Sequence, residues 1–185
     1  WLMDTASGEV EKIDTEITGM QWTHNWSPDS QWIVTDIPNT GWGWEIRAAV
    51  ISVQTGRAFS VPAPTPNEMD HATWTPSWSP DGRSLLYSST PTWTFDSSLK
   101  VLDLKTEEIT TLRDSLVQVR QLTWSPDNKQ IAYFSIRPAT EEEAEQDSVI
   151  TLVNAKGDGY SHTSFFGKEP DWSPDGSHIA CITAD

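Results

Sequence analysis

Trp78-Ser79-Pro80-Asp81-Gly82-Arg83-Ser84-Leu85-Leu86-Tyr87 decides the fold, because its first four residues occur three more times. The same word stands at Trp26-Ser27-Pro28-Asp29, Trp124-Ser125-Pro126-Asp127 and Trp172-Ser173-Pro174-Asp175, at intervals of 52, 46 and 48 residues. A word that returns at nearly fixed spacing marks one supersecondary unit stacked several times, and this overrides any domain count taken from length. Each word is a turn. Pro fixes φ, Asp bonds the local backbone, and the next position is Gly82, Gly176, Asn128 or Ser30. Gly and Asn tolerate positive φ; Ser30 is the poorest fit.

A short apolar run follows each word, such as Gln130-Ile131-Ala132-Tyr133-Phe134-Ser135, and reads as a strand. A second periodic feature lies between the words. Leu2-Met3-Asp4, Val50-Ile51-Ser52, Val101-Leu102-Asp103 and Leu152-Val153-Asn154 align without gaps, and each ends in a polar hairpin turn. With the residues before each word and the run after each hairpin, the unit is four antiparallel strands, A to D. The word is the A–B turn. No segment reads as a convincing helix. Four-stranded units of this length are the blades of an all-β propeller. The chain holds three complete blades, about 19–63, 70–112 and 118–166, with half-blades at 1–18 and 167–185, a four-blade equivalent.

The word with its following strand resembles the TolB-type propeller repeat, which tricorn-like and prolyl-oligopeptidase-like peptidases share. Trp78 to Tyr87 and Trp172 to Ala180 fit that pattern, and Val101 to Glu107 fits its outer hairpin. The resemblance covers the whole chain and implies the fold; one fold hosts many functions. It also implies an exported home, periplasmic or extracellular, although the residues are compatible with a cytoplasmic one.

The repeat gives Trp26, Trp78, Trp124 and Trp172 a packing role between blades, and Asp29, Asp81, Asp127 and Asp175 a turn-tying role. The ends fall in mid-blade. Three readings of them stay open: part of a larger propeller, a four-bladed ring closed by its own ends, or half of an eight-bladed ring completed by self-association.

Function is sought where the repeat explains nothing. Propeller ligands sit on loops, which the blades merely carry. The B–C connections hold Trp42 and Trp44 in one blade and Trp93 and Phe95 in the next, and an acidic run, Glu141 to Asp147, in the third. Loop Trp residues suit a protein or peptide partner. The bland alternative is that they fold back over a neighbouring blade. His24, in strand A, and His71, before the next word, are further candidates at the channel rim. His24, His71, His162 and His178 have no metal-ligand spacing, so no metal and no cofactor are expected. The acidic run lacks calcium-loop spacing.

A net charge of -15 without Lys/Arg clusters argues against nucleic acid. No apolar stretch has the ~20 residues of a membrane helix, so membrane insertion is not expected. The lone Cys181 sits in an apolar run and reads as a buried, inert thiol. There is no Gly-x-Ser-x-Gly elbow and no phosphate loop. The chain is therefore expected to be a non-catalytic scaffold. The rivals are an accessory propeller gating substrate for a serine peptidase or lyase whose catalytic residues lie elsewhere, and a truncated or engineered propeller without a ligand.

Overall fold

The computed structural model describes residues 1–15, 24–38, 46–61, 70–72, 76–91, 96–117, 119–137 and 147–183. All regular elements there are strands. The first half-blade is the hairpin β1 (Leu2–Met3) and β2 (Val10–Glu11). The first complete blade runs β3 (His24–Trp26), β4 (Trp32–Pro38), β5 (Ile46–Ser52) and β6 (Ala58–Ser60), paired in that order.

In the second blade β7 (Asp70–Ala72) and β8 (Ser77–Trp78) lie on the same partner. That partner is β9 (Ser84–Pro91), followed by β10 (Asp96–Asp103) and β11 (Ile109–Val117). The third blade is β12 (Arg120–Trp124), β13 (Gln130–Arg137), β14 (Asp147–Asn154) and β15 (Tyr160–Phe166). The last half-blade is the hairpin β16 (Lys168–Trp172) and β17 (Ile179–Ile182). Every pairing is antiparallel. β8 touches β12 and β12 touches β16, so strands A line up along one side of the stack.

Alternation along a strand explains how blades stack. Leu85 and Leu86 are adjacent and both fully buried, on opposite faces. Leu85 joins Val34, Val50, Trp78 and Leu102 in one core, between the first and second blades. Leu86 joins Leu99, Trp124, Ile131 and Val153 in the next, between the second and third. A sheet covered on both faces needs a continuous apolar run, which is why these B strands do not alternate polar and apolar.

The word's local chemistry is the same four times. Ser Oγ donates to Asp Oδ1 at 2.5–2.7 Å, in the pairs Ser27–Asp29, Ser79–Asp81, Ser125–Asp127 and Ser173–Asp175. The same Oγ accepts the backbone N–H of Trp32, Ser84, Gln130 or His178 at 2.8–3.0 Å. Asp Oδ1 also accepts the N–H of Gln31, Arg83, Lys129 or Ser177. The residue after Asp has φ of 60–71° in all four, at Ser30, Gly82, Asn128 and Gly176. Ser30 therefore carries the strain its residue type implied, because a Cβ crowds the carbonyl in that region.

The packing role of the word Trp differs from blade to blade. Trp78 and Trp124 are 7% and 9% exposed. Their indole N–H groups donate to Asn25 O and Ser77 O, at 3.3 and 3.2 Å. Each acceptor is the residue just before the previous word. Trp26 departs from the expected burial, at 43% exposed; among the described residues it faces the two-stranded β1–β2 sheet across an open groove. Trp172 is partly covered, and its Nε1 is buried without an acceptor among the described residues. Cys181 is half-buried and not the enclosed thiol expected, because among the described residues β17 pairs with β16 alone.

Candidate functional site

The register of the blades gives the stack two unlike ends. At the word end, β4 and β5 meet at Trp32 and Ser52, β9 and β10 at Ser84 and Asp103, and β13 and β14 at Gln130 and Asn154. At the opposite end, β4 and β5 finish at Pro38 and Ile46, and β13 and β14 at Arg137 and Asp147. Residues 39–45, 92–95 and 138–146 join the strands there. Trp42, Trp44, Trp93 and Phe95 lie in these connections, outside the described residues, as does the acidic run up to Gln146. His71 is in β7, opposite Thr90. His24 opens β3 opposite Thr35, and is exposed on the innermost strand.

Beneath that end the second and third blades bury a polar layer. Ser88, Ser89, Ser97, Lys100, Ser135 and Thr151 are buried. Buried polar groups are tolerated when they are hydrogen-bonded. Lys100 Nζ donates to Ser89 Oγ at 3.1 Å. Ser88 Oγ donates to Val119 O, and Val119 N donates to Ser97 Oγ, both at 3.3 Å. Ser97 Oγ also meets Thr90 Oγ1 at 2.9 Å. Val119 lies between β11 and β12, so this layer pins the crossover from one blade to the next.

Two bulges on the inner strands were not legible in the sequence. β12 and β16 each slip in register against their partners, between Arg120 and Thr123 and between Lys168 and Asp171. Gln121 and Glu169, three residues before their words, have φ of 53° and 56°. The Glu169 N–H donates to Gln121 Oε1 at 2.9 Å, linking the two bulges across neighbouring blades. Positive φ is costly for such residues, by about 1–3 kcal/mol, and it recurs at equivalent places. Bulges re-aim side chains at strand ends. Nothing in Gln or Glu signals one; the periodic offset from the word would have been the only clue.

At the word end, charge is spent on the turns. Hydrogen bonding from Ser79, Ser125 and Ser173 is the main cause holding Asp81, Asp127 and Asp175 below the usual carboxylate range, with Asp175 lowered to about 2. Ser177, after the last word, touches both Asp175 Oδ1 (2.7 Å) and His178 Nδ1 (2.6 Å). A hydroxyl has one proton. With that proton given to the carboxylate, His178 becomes the donor to Ser177 Oγ, the reverse of the arrangement that activates a serine nucleophile. Among the described residues no group of three or more His, Cys, Asp or Glu side chains could hold a metal ion. Among them, too, no helix is long and apolar enough to cross a membrane.

Comparison with known proteins gives the fold its relatives. No family model matches the chain. The Tol-Pal system protein TolB of Alcanivorax borkumensis is 34% identical over 83 residues, which is 44% of this chain and 18% of that protein. Among solved structures, TolB from Acinetobacter baumannii superposes with a TM-score of 0.62 at 20% identity, over 88% of this chain and 37% of its own. A putative TolB from Agrobacterium tumefaciens gives 0.69 at 18% identity, over 95% and 58%. Oligogalacturonate lyase from Vibrio parahaemolyticus gives 0.71 at 14% identity, over 98% and 50%. The chain thus spans less than two thirds of each. At these identities the likeness is one of fold: a propeller of the kind shared by TolB, peptidases and lyases.

Proposed function

We propose that the chain is a non-catalytic binding scaffold that engages a protein or peptide through the loop end, with Trp42, Trp44, Trp93 and Phe95 as anchors and His24 and His71 at the rim. The observation that supports this is the contrast between the two ends. The word end repeats one hydrogen-bonded turn and uses its Ser and Asp side chains internally. The loop end carries unlike connections, with Trp residues that the repeat does not explain, above a polar layer that holds the blades' crossover fixed. Rigid scaffolds with variable aromatic loops are how propellers and other repeat folds acquire ligands. The similarity to TolB supports a periplasmic setting.

The test is selection from a random peptide library against the wild-type chain and against a Trp42→Ala, Trp44→Ala, Trp93→Ala variant. Peptides that bind the first and lose at least about 10-fold on the second support the reading. Peptides that bind both equally sink it, and so does a library that yields no binders.

A second reading is an accessory propeller beside a peptidase or lyase domain outside residues 1–185. It is favoured by the fold's occurrence in the tricorn protease, at a TM-score of 0.57, and in oligogalacturonate lyase. An α/β-hydrolase sequence continuing from either end of the gene segment would decide for it.

A further inference from the structure

Lys and Arg number 12 in this chain against 27 Asp and Glu, so where the cations stand is informative. At the word end they are matched to acids. Lys129 pairs with Asp127, and Arg57 with Glu107 of the next outer turn. Arg83 and Lys105 give their N–H groups to the carboxylates of Asp81 and Asp103. Arg120 and Lys168 differ. Both are exposed, and among the described residues neither side chain has an ion-pair or hydrogen-bond partner. Lys12 and Lys156 are unpaired too, but each stands singly, after β2 and in the turn between β14 and β15.

Arg120 and Lys168 stand together. Arg120 opens β12 and Lys168 opens β16, the neighbouring inner strands. Each pairs toward the loop end, Arg120 with Phe134 and Lys168 with Ile182. Each is followed at once by its bulge residue, Gln121 or Glu169. The bond from the Glu169 N–H to Gln121 Oε1 ties these two bulges side by side. Two cations are thereby held at matched places on adjacent strands. The same offset in the first two repeats holds Trp22 and Trp74, outside the described residues, so the repeat itself does not call for a cation there. Neighbouring like charges repel, and an anion set between them removes that cost. The acids nearest in sequence, Glu169 and Asp171, are exposed on β16 and do not pair with Lys168.

We propose that Arg120 and Lys168 form a carboxylate-binding site at the loop end of the inner strands, and that the partner docked there is an acidic peptide segment. The Arg guanidinium takes a carboxylate through two parallel N–H bonds, and the Lys ammonium adds a point charge. The inter-blade bond through Gln121 sets the spacing of the two cations, so it selects how the acids of the partner are spaced. A net charge of -15 repels such a partner at long range, which confines its attraction to this one place. This rests on the loop end as the binding end and adds the partner's charge to it.

The experiment is fluorescence anisotropy with labelled hexaglutamate, and with labelled hexaglutamine as the uncharged control. The chain is expected to bind the first and not the second. Arg120→Gln with Lys168→Gln is expected to weaken binding at least about 10-fold. Both side chains are exposed, so this variant keeps its fold; circular dichroism checks that. Lys105→Gln with Lys129→Gln removes the same charge from the word end and is expected to bind as the wild type does. Hexaglutamate left unbound, equal binding of the two peptides, or equal weakening by the two double variants overturns the proposal. Amide shifts in the wild-type chain locate the site without any substitution. Hexaglutamate is expected to move Gln121 and Glu169 most, and shifts centred on the word turns overturn the proposal. The two readings fail separately. Library peptides that need Trp42, Trp44 and Trp93, with hexaglutamate unbound, keep the aromatic anchors and overturn this site. Hexaglutamate bound at Arg120 and Lys168, with no library peptide found, does the reverse.

Discussion

Trp124 and Trp26 occupy the same place in the same word, yet one is sealed between blades and the other stands 43% open. Their turns are alike. Both follow with a strand, both have the Ser–Asp hydrogen bond, and both have a positive φ four residues on. The difference is the neighbour. Trp124 lies against a finished blade and donates to Ser77 O, whereas Trp26 faces the groove beside a lone hairpin. The turn is thus a local property of the word, and burial is a property of the stack.

That separation predicts a graded set of mutational effects. Trp124→Ala removes a buried indole and its hydrogen bond, and is expected to cost about 3–5 kcal/mol in urea unfolding. Trp26→Ala is expected to cost less than half as much, because that indole is 43% exposed. Equal losses would break the comparison. Next come the serines. Ser125 is buried and bridges Asp127 to the Gln130 N–H. Ser125→Ala leaves both partners short of a bond and is expected to cost about 1–3 kcal/mol, against a smaller loss for Ser173→Ala in the exposed last turn.

The turn position after Asp gives effects of opposite sign. Gly82 has φ of 70°, and a Cβ there would sit 2.8 Å from the Asp29 carboxyl carbon. Gly82→Ala is expected to destabilise by about 1–2 kcal/mol. Ser30 holds a similar φ with a side chain in place, so Ser30→Gly relieves strain and is expected to raise stability by a few tenths of a kcal/mol after the entropic cost of Gly. The midpoint of a urea curve reads both.

The smallest effect is on titration. Asp175 has its pKa lowered from 3.8 to about 2, chiefly by the Ser173 hydroxyl. A depressed folded-state value means that the stabilisation is complete above about pH 4 and drains away as pH falls toward about 2. Ser173→Ala is expected to move the Asp175 carboxyl back toward its ordinary value, seen by NMR titration of that side chain.

What the sequence discloses follows the same division. The turn chemistry and the outer hairpins were legible, because Ser, Pro, Asp and Gly act within a few residues of themselves. From them came the blades and the mid-blade ends. The bulges at Gln121 and Glu169 were not legible, because those residue types carry no signal for positive φ. The exposure of Trp26 and the half-burial of Cys181 are set by what packs beside them, which no local pattern encodes. For the candidate site the sequence singled out His24, which the structure places exposed at the start of the inner strand β3. Trp42, Trp44, Trp93 and Phe95 lie outside the described residues.

Residue-resolved amide hydrogen exchange tests the difference between the four-stranded blades and the two-stranded sheets most directly. Amides of β9, β10, β13 and β14 are predicted to exchange only through global unfolding. Those of the two-stranded sheets, β1 and β17, are predicted to exchange through local opening. Strong protection of β17, or exchange from β13 as fast as from β17, would contradict the account.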